Sequence, residues 1–214
     1  MPPADPTLAI ELGLFAAGAR YVIGCDEVGR GALAGPVAVG MAVIDVTVGA
    51  VPVGLRDSKL LSEPRREALA PQAIAWARHS AVGLADPQEV DELGLTRCLG
   101  LAGLRALDQL QRQGLSISGA VVLLDGKHDW LGPALAVPVR VHTRVQADRD
   151  CASVAAASVI AKVHRDRIMI EQDSQWPGFG WSSNKGYGST AHLAAISELG
   201  ATGFHRRSWL ASLA

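Results

Sequence analysis

An interruption constrains this chain most. Two apolar, β-rich runs, Tyr21 to Val28 and Val37 to Val46, are separated by Gly29-Arg30-Gly31-Ala32-Leu33-Ala34-Gly35-Pro36. Such a Gly-rich stretch is no element interior, so the two runs are read as a hairpin-like pair of strands. The most apolar region, Gly31 to Leu55, is broken by Pro36, Asp45 and Pro52. A membrane span needs about 20 predominantly apolar residues in one helix, so this region is read as strands and turns and no membrane partner is expected.

Local signals place the remaining elements. Ser62, with Glu63 and Pro64 behind it, starts a helix that runs toward Arg78 with a break or restart near Pro71. His79 to Ala85 reads as a third strand. Asp86-Pro87-Gln88-Glu89 combines a capping acid, a proline suited to the first helical position and a glutamate that can reach back. A longer helix follows over Leu95 to Gln113, with Leu99, Leu104, Leu107 and Leu110 on its apolar side. Gly119 to Leu124 reads as a buried strand ending in Asp125-Gly126, and Ala136 to Val141 as another. Cys151 to Gln172 is helical, its first half built of small residues that let it lie close on a neighbour. Asp173 to Ser189 has loop chemistry, and short helices close the chain.

The expected architecture is an α/β sheet of about five strands, part antiparallel, with helices around it and a helical C-terminal region. Residues 1–19 are an N-terminal segment with one short amphipathic helix, 20–172 the main domain, and 173–214 a C-terminal region packed on it. With 214 residues and 49% hydrophobic side chains, one large domain with a real core is expected. Residues 1–139 carry 11 basic and 15 acidic side chains and residues 140–214 carry 9 and 6, balances of −4 and +3 that sum to the net −1. That gradient leaves a polyanionic partner open without identifying one. Three cysteines, Cys25, Cys98 and Cys151, form no paired spacing. They are read as buried thiols of a cytoplasmic protein, and the N-terminus lacks the pattern of a signal peptide.

Asp26-Glu27 ends the first strand, and Asp125 ends a buried strand in the same way. Adjacent strand residues point to opposite faces, so Asp26 and Glu27 share a site only if the strand ends or twists there. If their strands are parallel neighbours, Asp26 and Asp125 lie side by side at the carboxyl edge, where open α/β sheets bind ligands. Asp148 stands just before the small-residue helix, where its N-terminus favours a carboxylate. Gathered acids repel unless cations join them, and hard divalent ions prefer oxygen ligands. On the residues alone, an Asp at a strand end is more often a turn or cap residue, and a four-carboxylate metal site is the minority reading.

Six segments in order resolve this. They are residues 25–36, with Asp26, Glu27 and the Gly29-Arg30-Gly31 triplet; 57–62, with Asp57-Ser58-Lys59; 123–126, ending in Asp125-Gly126; 147–162, from Ala147-Asp148 to Lys162; 185–188, Lys185-Gly186-Tyr187-Gly188; and 205–208, His205-Arg206-Arg207-Ser208. Together they closely resemble the bacterial ribonuclease HII (type 2 ribonuclease H) family over about residues 20 to 210. The resemblance implies a ribonuclease H-like mixed sheet and an endonuclease that cleaves RNA in RNA–DNA hybrids and cuts at single ribonucleotides in duplex DNA. It implies Asp26, Glu27, Asp125 and Asp148 as catalytic acids holding Mg²⁺ or Mn²⁺, and a monomer whose partner is the nucleic-acid duplex.

It further implies substrate contacts. The Gly29-Arg30-Gly31 backbone can approach a 2′-hydroxyl, though a tight turn needs the same glycines. Lys59 reads as a phosphate contact or a solvated charge, and Tyr187 as a ring packed on the sugar or a loop anchor. Arg206 and Arg207 either hold phosphates or cap the last helices. Trp176, Trp181 and Trp209 are read as loop packing. Asn184 and Ser189 depart from residues common in the family, His and Thr. Rival readings are a resolvase- or transposase-like nuclease and a non-catalytic nucleic-acid-binding module, and clustered acids weigh against the second because carboxylates repel phosphate.

Overall fold

The computed structural model describes residues 5–210. Its centre is a five-stranded sheet of β1 (Tyr21–Val28), β2 (Val37–Ile44), β3 (His79–Ala85), β4 (Ala120–Asp125) and β5 (Arg140–Arg144), in the order β3-β2-β1-β4-β5. β1 pairs antiparallel with β2, and β2 with β3, while β4 lies parallel to both β1 and β5. The Gly-rich interruption thus joins an antiparallel pair, as expected.

Period-two alternation sends the side chains of β1 to two cores. Tyr21, Ile23 and Cys25 join Val39, Met41, Leu99 and Leu107 beneath α4 (Leu95–Arg112), and Val22 joins Ile44, Val121 and Val154 on the other face. That second face is covered by α6 (Ala152–Gln175), on which α2 (Glu63–Trp76) packs through Leu69, Ala70 and Ala73. Small residues on both sides make the approach close. A Cβ on Gly24 would lie 2.2 Å from the Ser153 carbonyl carbon, and one on Gly40 would lie 2.4 Å from the Ala157 oxygen. Gly24→Ala is therefore expected to lose about 1–3 kcal/mol or more, because backbone cannot rotate away as a side chain does. Urea unfolding checks this, and a loss below about 0.5 kcal/mol means that the helix can shift freely.

Several expected boundaries move. α2 runs unbroken through Pro71, which lies on its exposed side while the flanking Leu69, Ala70 and Ala73 hold both halves against α6. The strand expected at Ala136 to Val141 is instead β5 at Arg140–Arg144, past Pro138, which has no N–H for a ladder. β5 is a polar edge strand, so apolar patterning could not mark it. Asp148 lies in its own short helix, α5 (Ala147–Asp150), and α7 (Trp181–Asn184) forms inside the stretch read as loop. The Asp86 signal holds: its N–H donates to Glu89 Oε2 at 2.8 Å at the start of α3 (Pro87–Leu93).

Before the sheet, α1 (Ala9–Ala16) carries the buried Glu11, whose Oε1 accepts the Ser153 N–H near the start of α6 at 2.9 Å. After it, α8 (Thr190–Leu199) and α9 (Arg207–Leu210) follow α7. This last segment folds back on the Gly-rich interruption, with bridges Ala32 to Tyr187 and Ala34 to His205, and packs Phe179, Trp181 and Ala195 around Met169 of α6. All three cysteines are free and buried. No described helix is long and apolar enough to cross a membrane.

Candidate active site

The parallel pairing of β1 with β4 assembles the acids. Its register runs from Tyr21↔Ala120 to Cys25↔Leu124, so Asp26 and Asp125 are the next residues on two adjacent strands. Val22 and Val121 share the core on the α6 side, and whole pleats onward from each put Asp26 and Asp125 on that same face. Asp125 Oδ1 accepts the Ala147 N–H at 2.8 Å, which seats α5 against β4 and brings Asp148 to the site. Glu27 closes β1 from the opposite pleat, and Arg30 NH1 donates to its Oε1 at 3.1 Å.

Burial dominates the electrostatics. Asp26 is 1% exposed, and its carboxyl is pushed well above the ordinary range by burial and then by the Glu27 carboxylate, with Ser158 and Lys59 opposing and Asp125 adding. Burial also raises Glu27, against the Arg30 guanidinium. Asp148 is pushed up to about 6 by burial, Asp125 and Asp57. Lys59 Nζ lies 3.5 Å from Asp148 Oδ2, and although burial disfavours its charge, the carboxylates of Asp26, Asp57, Asp148 and Asp125 raise its pKa overall.

Asp26 Oδ2 and Glu27 Oε2 are buried with no hydrogen-bond partner among the described residues. Orphaned, mutually repelling carboxylate oxygens suit a hard divalent cation. As the side chains stand, no group of three or more His, Cys, Asp or Glu among the described residues is drawn tightly enough to hold an ion. Lys59 and Arg30 provide the positive charge beside them.

Next to the acids is a cleft of about 260 Å³ lined by Glu27, Val28, Gly29, Arg30, Gly31, Ser58, Lys59, Lys162 and Tyr187. Six of the residues expected from the sequence meet there. Lys59 sits on a helical turn, Ser58–Leu60, pinned to α6 where Ser158 Oγ donates to Ser58 Oγ at 2.9 Å. Asp57 begins the turn, with its Oδ1 accepting the Lys59 N–H at 2.9 Å and its Oδ2 lying 3.5 Å from Arg149 Nε. Tyr187 is 37% exposed.

Two buried arginines shape the loop, and only one was anticipated. Arg165 is fully buried on α6; its Nε, NH1 and NH2 donate to the carbonyls of Pro36 at 2.8 Å, Lys185 at 2.9 Å and Ala34 at 3.0 Å. It therefore clamps the Gly29–Pro36 and Lys185–Tyr187 segments together. Gly29 has φ +84°, and a Cβ there would lie 2.1 Å from Arg165 Nε. Arg206 corrects the expected phosphate contact. It is 0% exposed, with Nε and NH2 on the Gly35 carbonyl and NH1 on the Arg30 carbonyl, so its guanidinium is spent inside the fold. Arg207 is exposed at the start of α9, its N–H donating to Asp91 Oδ2 at 2.8 Å, and is not among the cleft-lining residues.

The two departures at Asn184 and Ser189 are structural. Asn184 Nδ2 donates to the Phe179 carbonyl and its Oδ1 accepts the Gly186 N–H, both at 2.7 Å. Ser189 Oγ accepts the His192 N–H at 3.2 Å and caps α8. Trp181 Nε1–H can only donate, so His192 Nε2 accepts it at 3.0 Å and His192 Nδ1–H donates to the Tyr187 carbonyl at 2.9 Å. Sequence reasoning missed Arg165, which stands in the charged run Lys162, His164, Arg165, Asp166 and Arg167 of α6, where nothing in the letters separates a buried clamp from a solvated face.

The family model for ribonuclease HII matches residues 23–212. The chain belongs to the ribonuclease HII family. Ribonuclease HII of Streptomyces griseus is 48% identical over 213 residues, covering 98% of this chain and 86% of the relative. Among solved structures, ribonuclease H2 of Pyrococcus horikoshii OT3 is similar with a TM-score of 0.65 and 26% identity, covering 88% of this chain and 93% of the other. Bst-RNase HIII in complex with Mn²⁺ has a TM-score of 0.63 and 27% identity, covering 88% of this chain and 66% of the other. The ribonuclease H-like mixed sheet expected from the motifs is thereby established. As a ribonuclease HII, the chain is a metal-dependent ribonuclease of the class that cleaves RNA in RNA–DNA hybrids.

Proposed function

We propose that this ribonuclease HII both hydrolyses RNA in RNA–DNA hybrids and incises on the 5′ side of single ribonucleotides in duplex DNA, leaving 3′-hydroxyl and 5′-phosphate ends. The observation that carries this reading is the adjacency of the acid edge to a cleft lined by Gly29, Arg30 and Gly31. Asp26, Glu27, Asp125 and Asp148 are the residues that would hold a divalent pair, Mg²⁺ or Mn²⁺. When bound, such a pair activates water and stabilises the leaving oxygen.

The chain itself supplies recognition. Arg30 and Gly31 line the cleft, and their N–H groups make no hydrogen bond among the described residues. They are donors for a 2′-hydroxyl, the group that separates RNA from DNA. Lys59 meets a phosphate beside Asp148. The exposed part of the Tyr187 ring packs on the sugar next to the ribonucleotide, and Arg165 Cζ lies 5.5 Å from its centroid. Free buried cysteines fit work in the reducing cytoplasm.

The deciding experiment is cleavage of a DNA duplex carrying one ribonucleotide, with and without divalent metal. Attack by water gives a 3′-hydroxyl end and a 5′-phosphate end. A 2′,3′-cyclic phosphate product overturns the reading, since only the 2′-hydroxyl as nucleophile makes it. Tyr187→Ala is expected to lose roughly ten- to hundredfold in kcat/KM on that duplex, if packing on the sugar is worth about 1–3 kcal/mol as base stacking is. Tyr187→Phe keeps most of the activity. Equal damage from Phe and Ala would transfer the role from the ring to the hydroxyl.

A further inference from the structure

Two lysines from different elements reach the cleft, Lys59 from the Ser58–Leu60 turn and Lys162 from α6. One buried carboxylate is connected to both. Asp166, with its side chain 4% exposed, lies one turn beyond Lys162 on α6 and accepts Lys162 Nζ on Oδ1 at 2.5 Å. Its Oδ2 lies 3.6 Å from NH2 of Arg66, on α2. The other end of that guanidinium, NH1, donates to the carbonyls of Ser58 at 3.1 Å and Leu61 at 2.5 Å, which bracket Lys59. Lys162 Nζ lies 5.8 Å from the Tyr187 ring centroid, at the wall of the cleft that takes the sugar–phosphate strand in the nuclease reading.

We propose that Asp166 is a positioning residue for substrate binding, aiming Lys162 directly, and Lys59 through Arg66 and its turn, at two phosphates of the duplex. The proposal rests on the nuclease reading above. A buried carboxylate is a poor way to stabilise a core, since an apolar residue of similar volume often does as well or better. A lysine tip free in solvent also loses rotamer freedom when it grips a phosphate. Holding the Lys162 tip in advance, and fixing the backbone turn that carries Lys59, removes part of that loss from the binding step.

The test is Asp166→Asn, nearly unchanged in shape. Binding to an RNA–DNA hybrid is measured by fluorescence anisotropy in EDTA over a range of salt, and kcat and KM are measured separately in Mg²⁺. Removing a negative charge near a polyanion tightens binding by electrostatics alone. Positioning gives the opposite sign: Kd rises roughly tenfold and the slope of log Kd against log salt falls by about 0.9 per lost phosphate, up to about 2. KM rises while kcat stays within about threefold. Lys162→Ala adds little in the Asp166→Asn background, because both changes break one connection. Arg66→Gln, which cuts only the Lys59 branch, lowers the slope by about one. If Asp166→Asn is destabilised, Arg66→Gln and Lys162→Ala still have to show one lost contact each.

Binding as tight as wild type or tighter, with an unchanged slope, overturns the proposal. So does a fall in kcat at constant KM, or full additivity with Lys162→Ala. Failure of the wild-type protein to bind or cut the hybrid sinks the nuclease reading instead, before any variant is compared.

Discussion

Asp26→Asn is expected to remove cleavage, by roughly 10³-fold or more, and to leave a folded protein that melts higher than wild type in EDTA. Losing one preorganised group at a reacting centre commonly costs 10²–10³ in rate, and a carboxylate that holds metal does at least as much. The stability change has the opposite sign because of pKa. Burial and the Glu27 carboxylate hold Asp26 far above its ordinary value of 3.8. A carboxyl raised in the folded state contributes stability that is fully present below its unfolded pKa and is lost as pH rises through the folded pKa. At neutral pH, where the carboxyl of the unfolded chain is ionised, the raised pKa is a cost to the metal-free folded protein, and the amide removes that penalty. A gain of about 1 kcal/mol raises Tm by roughly 2–4 °C in a chain of this size. The gap between variant and wild type should close toward pH 4. Mg²⁺ should raise Tm in wild type by binding the folded state, and far less in the variant. Undiminished cleavage by Asp26→Asn would remove it from the catalytic set.

Arg165→Met is the second large expected effect, and it is structural before it is catalytic. The substitution leaves the carbonyls of Pro36, Lys185 and Ala34 without donors in a site that water does not reach. Breaking a buried charged group's hydrogen bonds costs about 3–5 kcal/mol, or roughly 6–20 °C in Tm. Those carbonyls belong to the two segments that carry the Gly29-Arg30-Gly31 backbone and Tyr187, so kcat/KM on a single-ribonucleotide duplex should fall further than the loss of folded protein explains. Arg165→Lys supplies one point of charge where a fork spans three acceptors, and should rescue only partly. Thermal unfolding with parallel kinetics checks this; both variants within 1 kcal/mol of wild type would mean that the clamp is dispensable.

Much of this was readable along the chain because it is local. The capping pair Asp86 and Glu89 lies within one helical turn. The Gly-rich interruption bends the chain on itself, and the small residues after Cys151 describe a helix that must lie close to something. The motifs around Asp26, Asp57, Asp125, Asp148 and Tyr187 supplied the family, and with it the acids. β5 was misplaced because Arg140–Arg144 is mostly polar on an exposed edge, where Val141 alone packs on the core and leaves no alternating mark. Arg206 was misjudged because an arginine's letter is the same whether its fork meets phosphate or backbone carbonyl.

By itself, then, the sequence determined most of the elements, the strand-end acids and the glycines of the interrupting loop. Tertiary structure decided which of these meet. Asp26 and Asp125 are neighbours only because β1 and β4, far apart in sequence, pair in parallel in one register. Arg165 and Arg206 became loop clamps, and Asp166 met Lys162 and Arg66, only once α6, α2 and the C-terminal segment had closed around the interruption. Periodicity, caps and turns are set by neighbours a few residues away. The partner of a buried charge is chosen by desolvation, which exists only after distant segments have excluded water.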